Sequence, residues 1–346
     1  MVERTLTERE LNRALLARQL LLEPAELPIV RAVERIGGLQ TQYAPSGYVG
    51  LWSRLAGLER EAYTRALERR RIVQATLMRS TIHTVSGRDY PLFAEGVRRA
   101  RREWWLRATR HSNSAEEIRA VARRVRALLA DGPMRTTDLA RELGISTTTW
   151  NGVGLWLDLI RVPPSGTWER RRADLVTTAE AWLGASSVSE ADGVDHLVRR
   201  YLGAFGPASA NDVASWAGLP PTTVRRAAER ITLRRFRDEA GGELLDVRGA
   251  PLPDGATPAP VRFLPTWDAT LLVHARRTQI LPERLRSMVF DTKTPHSTPT
   301  FLVDGRVAGA WRVEGGSVAI RPFETLSSRD RRAVDAEAER LSAFHR

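Results

Sequence analysis

The sequence predicts a mainly α-helical α+β chain. Three tandem helical units, each closed by a β-hairpin as in a winged helix, precede a C-terminal β-containing module. Three observations lead there. The pattern at 138–149 recurs without gaps at 212–223. Two β-rich runs, 72–78 and 81–85, meet at Arg79-Ser80 after a helical stretch. A strand, an Asp-Gly turn and a second strand follow one another over 300–312, beyond a Pro/Gly-rich linker at 249–260.

In chain order, Thr7-Glu8-Arg9-Glu10 has capping-box spacing and opens a helix through Leu11, Leu15 and Leu22, which Pro24 and Pro28 end. A second helix reaches Ile36 and stops at Gly37-Gly38. Helices over 49–55 and 61–70 lead into the strand pair, and with an Arg/Trp helix they complete a first unit, 1–112. The second unit, 113–190, opens on a capping box at Ser114 and Glu117. Ile118, Val121, Ala122, Val125, Leu128 and Leu129 then repeat at helical spacing until Asp131-Gly132-Pro133.

The repeat follows, once in this unit and once in a third, 191–250. Its form is Asp-φ-Ala-x-x-φ-Gly-φ-x-x-Thr-Thr, where φ is apolar. It reads as a helix, a turn at a left-handed glycine, and the start of a second helix: a helix-turn-helix. Thr148, Thr149, Thr222 and Thr223 fall at second-helix N-termini, where hydroxyls cap or bond phosphate, and Arg225 follows one turn on. Each copy precedes a basic strand-like stretch, 161–176 and 232–247, the latter with Gly241-Gly242 at its tip. The module 251–346 ends in a helix over 328–344.

The 346 residues suffice for several cores, and the hydrophobic fraction of 42% is ordinary for a globular chain. Met1-Val2-Glu3-Arg4 lacks an apolar run, so no secretory signal is expected. The longest apolar stretch, 152–160, is too short to span a bilayer. A cytoplasmic, nucleoid-associated protein with no membrane partner is expected. The absence of cysteine excludes disulfides, thiol nucleophiles and iron–sulfur clusters. The 6 histidines show no metal-ligand spacing, so neither a metal nor a cofactor is expected. The net charge of +12 attracts polyanions, nucleic acid first. There is a single lysine, Lys293, so the choice of arginine over lysine carries little chemical information. The positive excess stands regardless, because Asp and Glu total only 41.

Gln40 and Gln42 flank Thr41 just after the two glycines. Glutamine is mostly exposed, and a buried amide needs partners for both its oxygen and its nitrogen. The pair reads either as a polar turn capping helix ends or as a grip for a water or a substrate edge. Arg98, Arg99, Arg101, Arg102, Arg107 and Arg110 surround Trp104 and Trp105. They suit phosphate contact with base stacking, Arg98 and Arg102 foremost; the alternative is an amphipathic helix with its tryptophans packed inward. Alternation in a strand would put Arg79, Thr81 and His83 on one DNA-facing surface. The runs 69–71 and 170–172 sit beside the predicted wings, where duplex backbones are gripped.

Five segments carry a family likeness: Gly38-Leu39-Gln40-Thr41-Gln42, Leu51-Trp52-Ser53-Arg54, Arg79-Ser80-Thr81-Ile82-His83-Thr84-Val85, and the stretches 262–268 and 301–312. With them the chain resembles the AlkZ/YcaQ family of winged-helix DNA glycosylases, in its AlkZ-like branch. The resemblance implies three tandem winged helices around a DNA-binding face and a C-terminal β-containing region. It implies excision of alkylated bases, N7-alkylpurines and bulky or crosslinked adducts among them, served by Gln40 and Gln42. The family's middle residue is aliphatic, and Thr41 departs from it.

A base alkylated at N7 is already a cationic leaving group. Its release needs a positioned water more than a strong general acid, and amide oxygens can orient that water. A lyase step would need an activated amine, and Lys293 lies in a Thr/Pro-rich loop, so a monofunctional glycosylase acting as a monomer on double-stranded DNA is expected. The alternative is a non-catalytic winged-helix DNA-binding protein or transcriptional regulator. Regulators commonly dimerise and present one recognition helix per subunit, whereas three different units in one chain suit wrapping of a single site. A scaffold for other proteins fits the positive charge poorly.

Overall fold

Residues 2–111, 114–272, 278–291 and 297–346 are described in a computed structural model of the chain. Lys293, His274 and His296 lie outside them. The first unit contains β1 (Thr5–Leu6), α1 (Glu8–Arg18), α2 (Ile29–Arg35), β2 (Leu39–Gln40), α3 (Pro45–Trp52), α4 (Arg60–Glu68), β3 (Ile72–Thr76), β4 (Ile82–Ser86) and α5 (Tyr90–Ala108). Next come α6 (Ala115–Leu128), β5 (Met134–Arg135), α7 (Thr136–Leu143), α8 (Thr147–Trp156), β6 (Leu159–Arg161), β7 (Leu175–Thr178) and α9 (Ala179–Leu183). A third group holds α10 (Glu190–Phe205), α11 (Ala210–Ala217), α12 (Pro221–Arg230), β8 (Arg234–Asp238) and β9 (Glu243–Asp246). The C-terminal part holds β10 (Arg262–Leu264), α13 (Ala269–Leu272), α14 (Arg286–Val289), β11 (Thr300–Val303), β12 (Arg306–Glu314), β13 (Ser317–Pro322) and α15 (Ser328–His345).

Local chemistry sets most of these boundaries. Both expected capping boxes form, at Thr7 with Glu10 and at Ser114 with Glu117. The glycines of the repeat are left-handed, Gly144 at φ +64° and Gly218 at φ +72°, and each ends the first helix of its pair. Two expected boundaries move. α1 stops at Arg18, before the expected prolines, because the chain turns through Leu20 at φ +57°. α3 begins at Pro45 rather than near Val49, since proline's fixed φ suits a first helical turn.

The hairpins do not stay within their units. One antiparallel sheet runs β2-β4-β3-β6-β7-β5 and crosses the boundary expected at 112/113. Its joint is β3 with β6, where Gln74 and Ala75 face Arg161 and Ile160. The N-terminal β1 pairs in parallel with β8 of the third group. The C-terminal sheet is a β10-β11-β12-β13 meander, with the expected turn at Asp304-Gly305.

Two cores link distant segments. Leu15, Phe93, Val97, Leu197, Tyr201, Trp216 and Val224 pack α1, α5, α10, α11 and α12 together. Ile36, Tyr48, Leu51 and Tyr63 pack with Phe263, Phe301, Trp311 and Leu341, so α2–α4 share a core with the C-terminal sheet and α15. Buried ion pairs cross the same seams. Arg18 meets both oxygens of Asp246 at 2.6 and 3.0 Å, and Arg54 meets both oxygens of Asp268 at 2.9 and 3.0 Å. Arg54 also donates to Gln19 Oε1, and Ser53 donates to the Phe263 carbonyl. Two of the segments that carry the family likeness, 51–54 and 262–268, therefore touch each other.

Removing one partner of a buried pair strands the other charge. Arg54→Met is expected to lower unfolding stability by roughly 3–5 kcal/mol, and Arg54→Met with Asp268→Leu to recover much of that loss. Chemical denaturation of the three chains checks this.

Candidate functional site

Two glycines build the corner that carries the glutamines. Gly37 and Gly38 adopt φ +76° and +85°, and a methyl on Gly38 would sit 3.0 Å from Val85 and 3.1 Å from the Thr84 carbonyl. The chain then pairs with β4, Leu39 opposite Thr84 and Gln40 opposite His83, and the Thr41 N–H donates to the Ile82 carbonyl. Alternation points Thr41 inward, away from Gln40 and Gln42. Thr41 is buried, and its hydroxyl is 3.1 Å from that of Thr84, itself 2.9 Å from the Tyr63 hydroxyl. A threonine thus fits where an aliphatic residue was expected, because a hydroxyl chain waits for it.

The glutamine side chains are fixed separately. Gln40 is 8% exposed, and its Oε1 accepts from Arg79 Nη2 at 2.9 Å. Gln42 is exposed, and its Oε1 accepts from the Ile82 N–H at 3.0 Å. Arg79 does not lie in a strand with Thr81 and His83, as alternation predicts. It occupies a 3-10 turn at φ +51°, followed by Ser80 at φ +58°, two strained positions in succession. That turn aims its guanidinium back at Gln40 and also at the Trp216 carbonyl of α11, 2.7 Å away. Thr81 holds the turn by donating to the Met78 carbonyl. His83 is buried, with Nδ1 donating to the Thr81 carbonyl at 3.0 Å. Burial first, then the charges of Arg79 and Arg101, push it down to about 3. At neutral pH it is a neutral imidazole, its one ring N–H spent on the Thr81 carbonyl, and no general acid.

Beside this corner lies a cleft of about 470 Å³ between α5, α8 and the six-stranded sheet. Gln42, Arg101, Trp104, Thr148, Asn151 and Arg161 are among its walls. The Trp pair of α5 splits. Trp105 packs against Trp156 in the interior, and Trp104 stands 57% exposed at the cleft.

Arg98 and Arg102 turn out to be braces. Arg98 grips both oxygens of Asp158 at 2.9 and 3.0 Å and pairs with Glu95, while Arg102 donates to the Leu155 carbonyl and covers Trp156. None of the four threonines caps its helix. Ser146 caps α8 by accepting from the Thr149 N–H, and Pro220 occupies the cap of α12. Thr148, Thr222 and Arg225 are exposed on the first turns of α8 and α12, with Thr149 and Thr223 partly covered beside them. The sequence marks Arg101 only as one of six arginines around the Trp pair, and Arg161 only as the start of a basic strand-like stretch. The signal for Arg101 was its i+4 step between Val97 and Trp105, which puts a guanidinium on the buried stripe of α5. Nothing comparable marks Arg161, which owes its place to the β3–β6 joint.

The buried histidine has a consequence for pH. As pH falls from 6.5 towards 3, the unfolded chain takes up a proton at residue 83 that the native chain refuses. Native stability therefore falls over that window, by up to about 1.4 kcal/mol per pH unit from this group. His345, lowered to about 4, acts in the same direction. Thermal melts between pH 7 and 4.5 should show a shallower loss for His83→Phe than for the wild type; equal slopes would contradict the placement.

Comparison with known proteins identifies relatives of the chain and of its fold. A curated relative, the interstrand DNA cross-link repair glycosylase of Streptomyces sahachiroi, is 25% identical over 158 residues, 42% of this chain and 41% of that protein. The matched stretch thus spans about two fifths of that relative's length. The solved structure of the Streptomyces sahachiroi DNA glycosylase AlkZ superposes with a TM-score of 0.84 at 20% sequence identity, over 99% of this chain and 97% of that one, a likeness of fold. No helix among the described residues is long and apolar enough to cross a membrane. The family model for DNA glycosylase AlkZ-like proteins matches residues 33–344, and the chain belongs to that family.

Proposed function

We propose that the chain is a monofunctional DNA glycosylase. It hydrolyses the N-glycosidic bond of N7-alkylated purines in double-stranded DNA, bulky and crosslinked adducts included. The fixed amide corner, with Gln42 on the wall of a basic cleft and Gln40 beside it on the same strand face, carries this reading. The Streptomyces relative, named as an interstrand cross-link repair glycosylase, supports the bulky end of the substrate range.

Both amide oxygens already accept one hydrogen bond from the protein, and each keeps a second lone pair. The two are not equivalent. The Arg79 charge draws density from Gln40 Oε1 and strengthens that amide's N–H donors. Gln42 Oε1 meets a neutral backbone N–H and stays the better acceptor. Gln42 therefore accepts from the attacking water and faces the positive charge developing on the sugar, while Gln40 donates to the water's oxygen. The water oxygen bonds to the anomeric carbon as the bond to the base nitrogen breaks. That bonding pair neutralises the cationic base, which leaves as neutral alkylpurine, and the water's proton passes to solvent. Neither amide has to ionise the water, and neutral His83 is not asked for a proton.

The DNA contacts follow from exposure. Thr148, Thr149, Thr222, Thr223 and Arg225 present the second helix of each repeat to the duplex, with Trp104 at the cleft mouth. Arg79 and Thr81 act by shaping the turn behind Gln40, and His83, Arg98 and Arg102 support the scaffold.

Single-turnover release of 7-methylguanine from a duplex tests the proposal. Gln40→Ala and Gln42→Ala should each slow release by about 10² or more, the scale of a lost pre-organised dipole. The abasic strand should stay intact until treated with heat or base. Release unchanged in both variants would remove the amides' role; no release from any N7-alkylated duplex by the wild type would favour the regulator.

A further inference from the structure

Two arginines at the floor of the cleft share one threonine. Arg101 Nη1 donates to the Thr76 carbonyl at 2.8 Å, and Arg161 Nη2 donates to Thr76 Oγ1 at 3.0 Å. The remaining protein contacts are Arg101 Nε to Ser80 Oγ at 3.4 Å and Arg161 Nε to the Ala173 carbonyl at 3.2 Å. Every one of these acceptors is neutral. Among the described residues neither guanidinium has a carboxylate within ion-pair distance. Asp158 lines the same cleft, but both its oxygens are taken by Arg98.

Like charges brought together away from bulk water repel, and an uncompensated buried charge is costly. Arg101 is 9% exposed. Burial first pushes Arg101 and Arg161 down to about 10, and Arg101's charge adds to the effect at Arg161. Both still carry their protons at neutral pH. Each keeps one terminal nitrogen without a protein partner among the described residues, Nη2 of Arg101 and Nη1 of Arg161. A third donor joins them. The Tyr90 hydroxyl has no protein partner among the described residues, lines the same cleft, and is kept protonated by its burial.

We propose that Arg101, Arg161 and Tyr90 form a phosphate site that seats one backbone phosphodiester of the DNA strand carrying the lesion. The free terminal nitrogen of each guanidinium and the Tyr90 hydroxyl can donate to different oxygens of one phosphate, whose charge compensates the two cations. The site rests on the proposed DNA substrate. It deepens that reading by fixing the register of the strand: Gln42 stands on the wall of the cleft whose floor holds the phosphate.

The test is binding to a duplex carrying one abasic-site analogue, which fixes the register, across a salt series, with methylphosphonate replacing one phosphate at a time. Arg161→Gln and Arg101→Gln should each lower the slope of log affinity against log salt by about 0.9. One methylphosphonate position should weaken the wild type and leave either variant unaffected. A folded variant with the wild-type slope and the wild-type methylphosphonate profile would overturn the site. Should both variants fail to fold, Tyr90→Phe takes their place: loss of sensitivity at one position supports the site, and the wild-type profile overturns it. Inorganic phosphate, added at constant ionic strength, separates the two sources of the anion. If it raises the wild-type Tm and not that of Arg161→Gln, the site also takes free phosphate; no shift together with one sensitive position marks a site for the strand alone. Base release by the wild type with unchanged slopes in the variants would overturn only the phosphate site. One sensitive position without release of any base would overturn only the glycosylase.

Discussion

Strand β3 is hydrogen-bonded along both edges, and the arrangement of the site depends on it. On one side it holds β4, whose far edge carries the two residues of β2 and so Gln40. On the other it holds β6 and Arg161. At its end Thr76 receives both Arg101 and Arg161. A sheet spaces its strands at about 4.8 Å, so this one frame fixes the amide corner and the arginine pair relative to each other without a flexible loop between them. The two helical units on either side of β3 are parts of one platform, and the cleft is the gap between their helices above it.

Charge is distributed unevenly over that platform. Surface arginines pair with nearby carboxylates, as in Arg126 with Glu180 and Arg235 with Glu243. Among the described residues, Arg101 and Arg161 beneath the cleft meet only neutral acceptors. The groups next to the amide corner are equally deliberate: a neutral histidine, a hydroxyl chain and a guanidinium aimed at one amide oxygen. Such a corner lacks a strong acid to protonate a departing base. That suits the proposed leaving group, a base that is already cationic.

Much of the fold was legible because it rests on local chemistry. The capping boxes at Thr7 and Ser114, the left-handed Gly144 and Gly218 and the Asp304-Gly305 hairpin turn all follow from neighbours within a few residues. The glutamine corner was legible for the same reason, since two successive glycines announce a left-handed bend that glycine adopts most readily. What could not be read lies in long-range pairing. Nothing in 159–161 announces that it joins β3 rather than closing its own hairpin alone. The i+4 step puts Arg101 on the buried stripe of α5, but only the neighbours of that helix make Arg98 a brace on Asp158 and leave Arg101 without a carboxylate among the described residues. The strand alternation that grouped Arg79 with His83 failed because the hairpin turns through two positive-φ residues, which reverses the guanidinium onto Gln40.

The central claim is that Gln40 acts as an amide held and polarised by Arg79. A double-mutant cycle on the single-turnover release of 7-methylguanine, combining Arg79→Met with Gln40→Ala, measures that coupling directly. If Arg79 works through Gln40, its substitution slows the wild type and adds little once the amide is gone, so the double variant matches Gln40→Ala. Two effects that multiply independently would contradict the account.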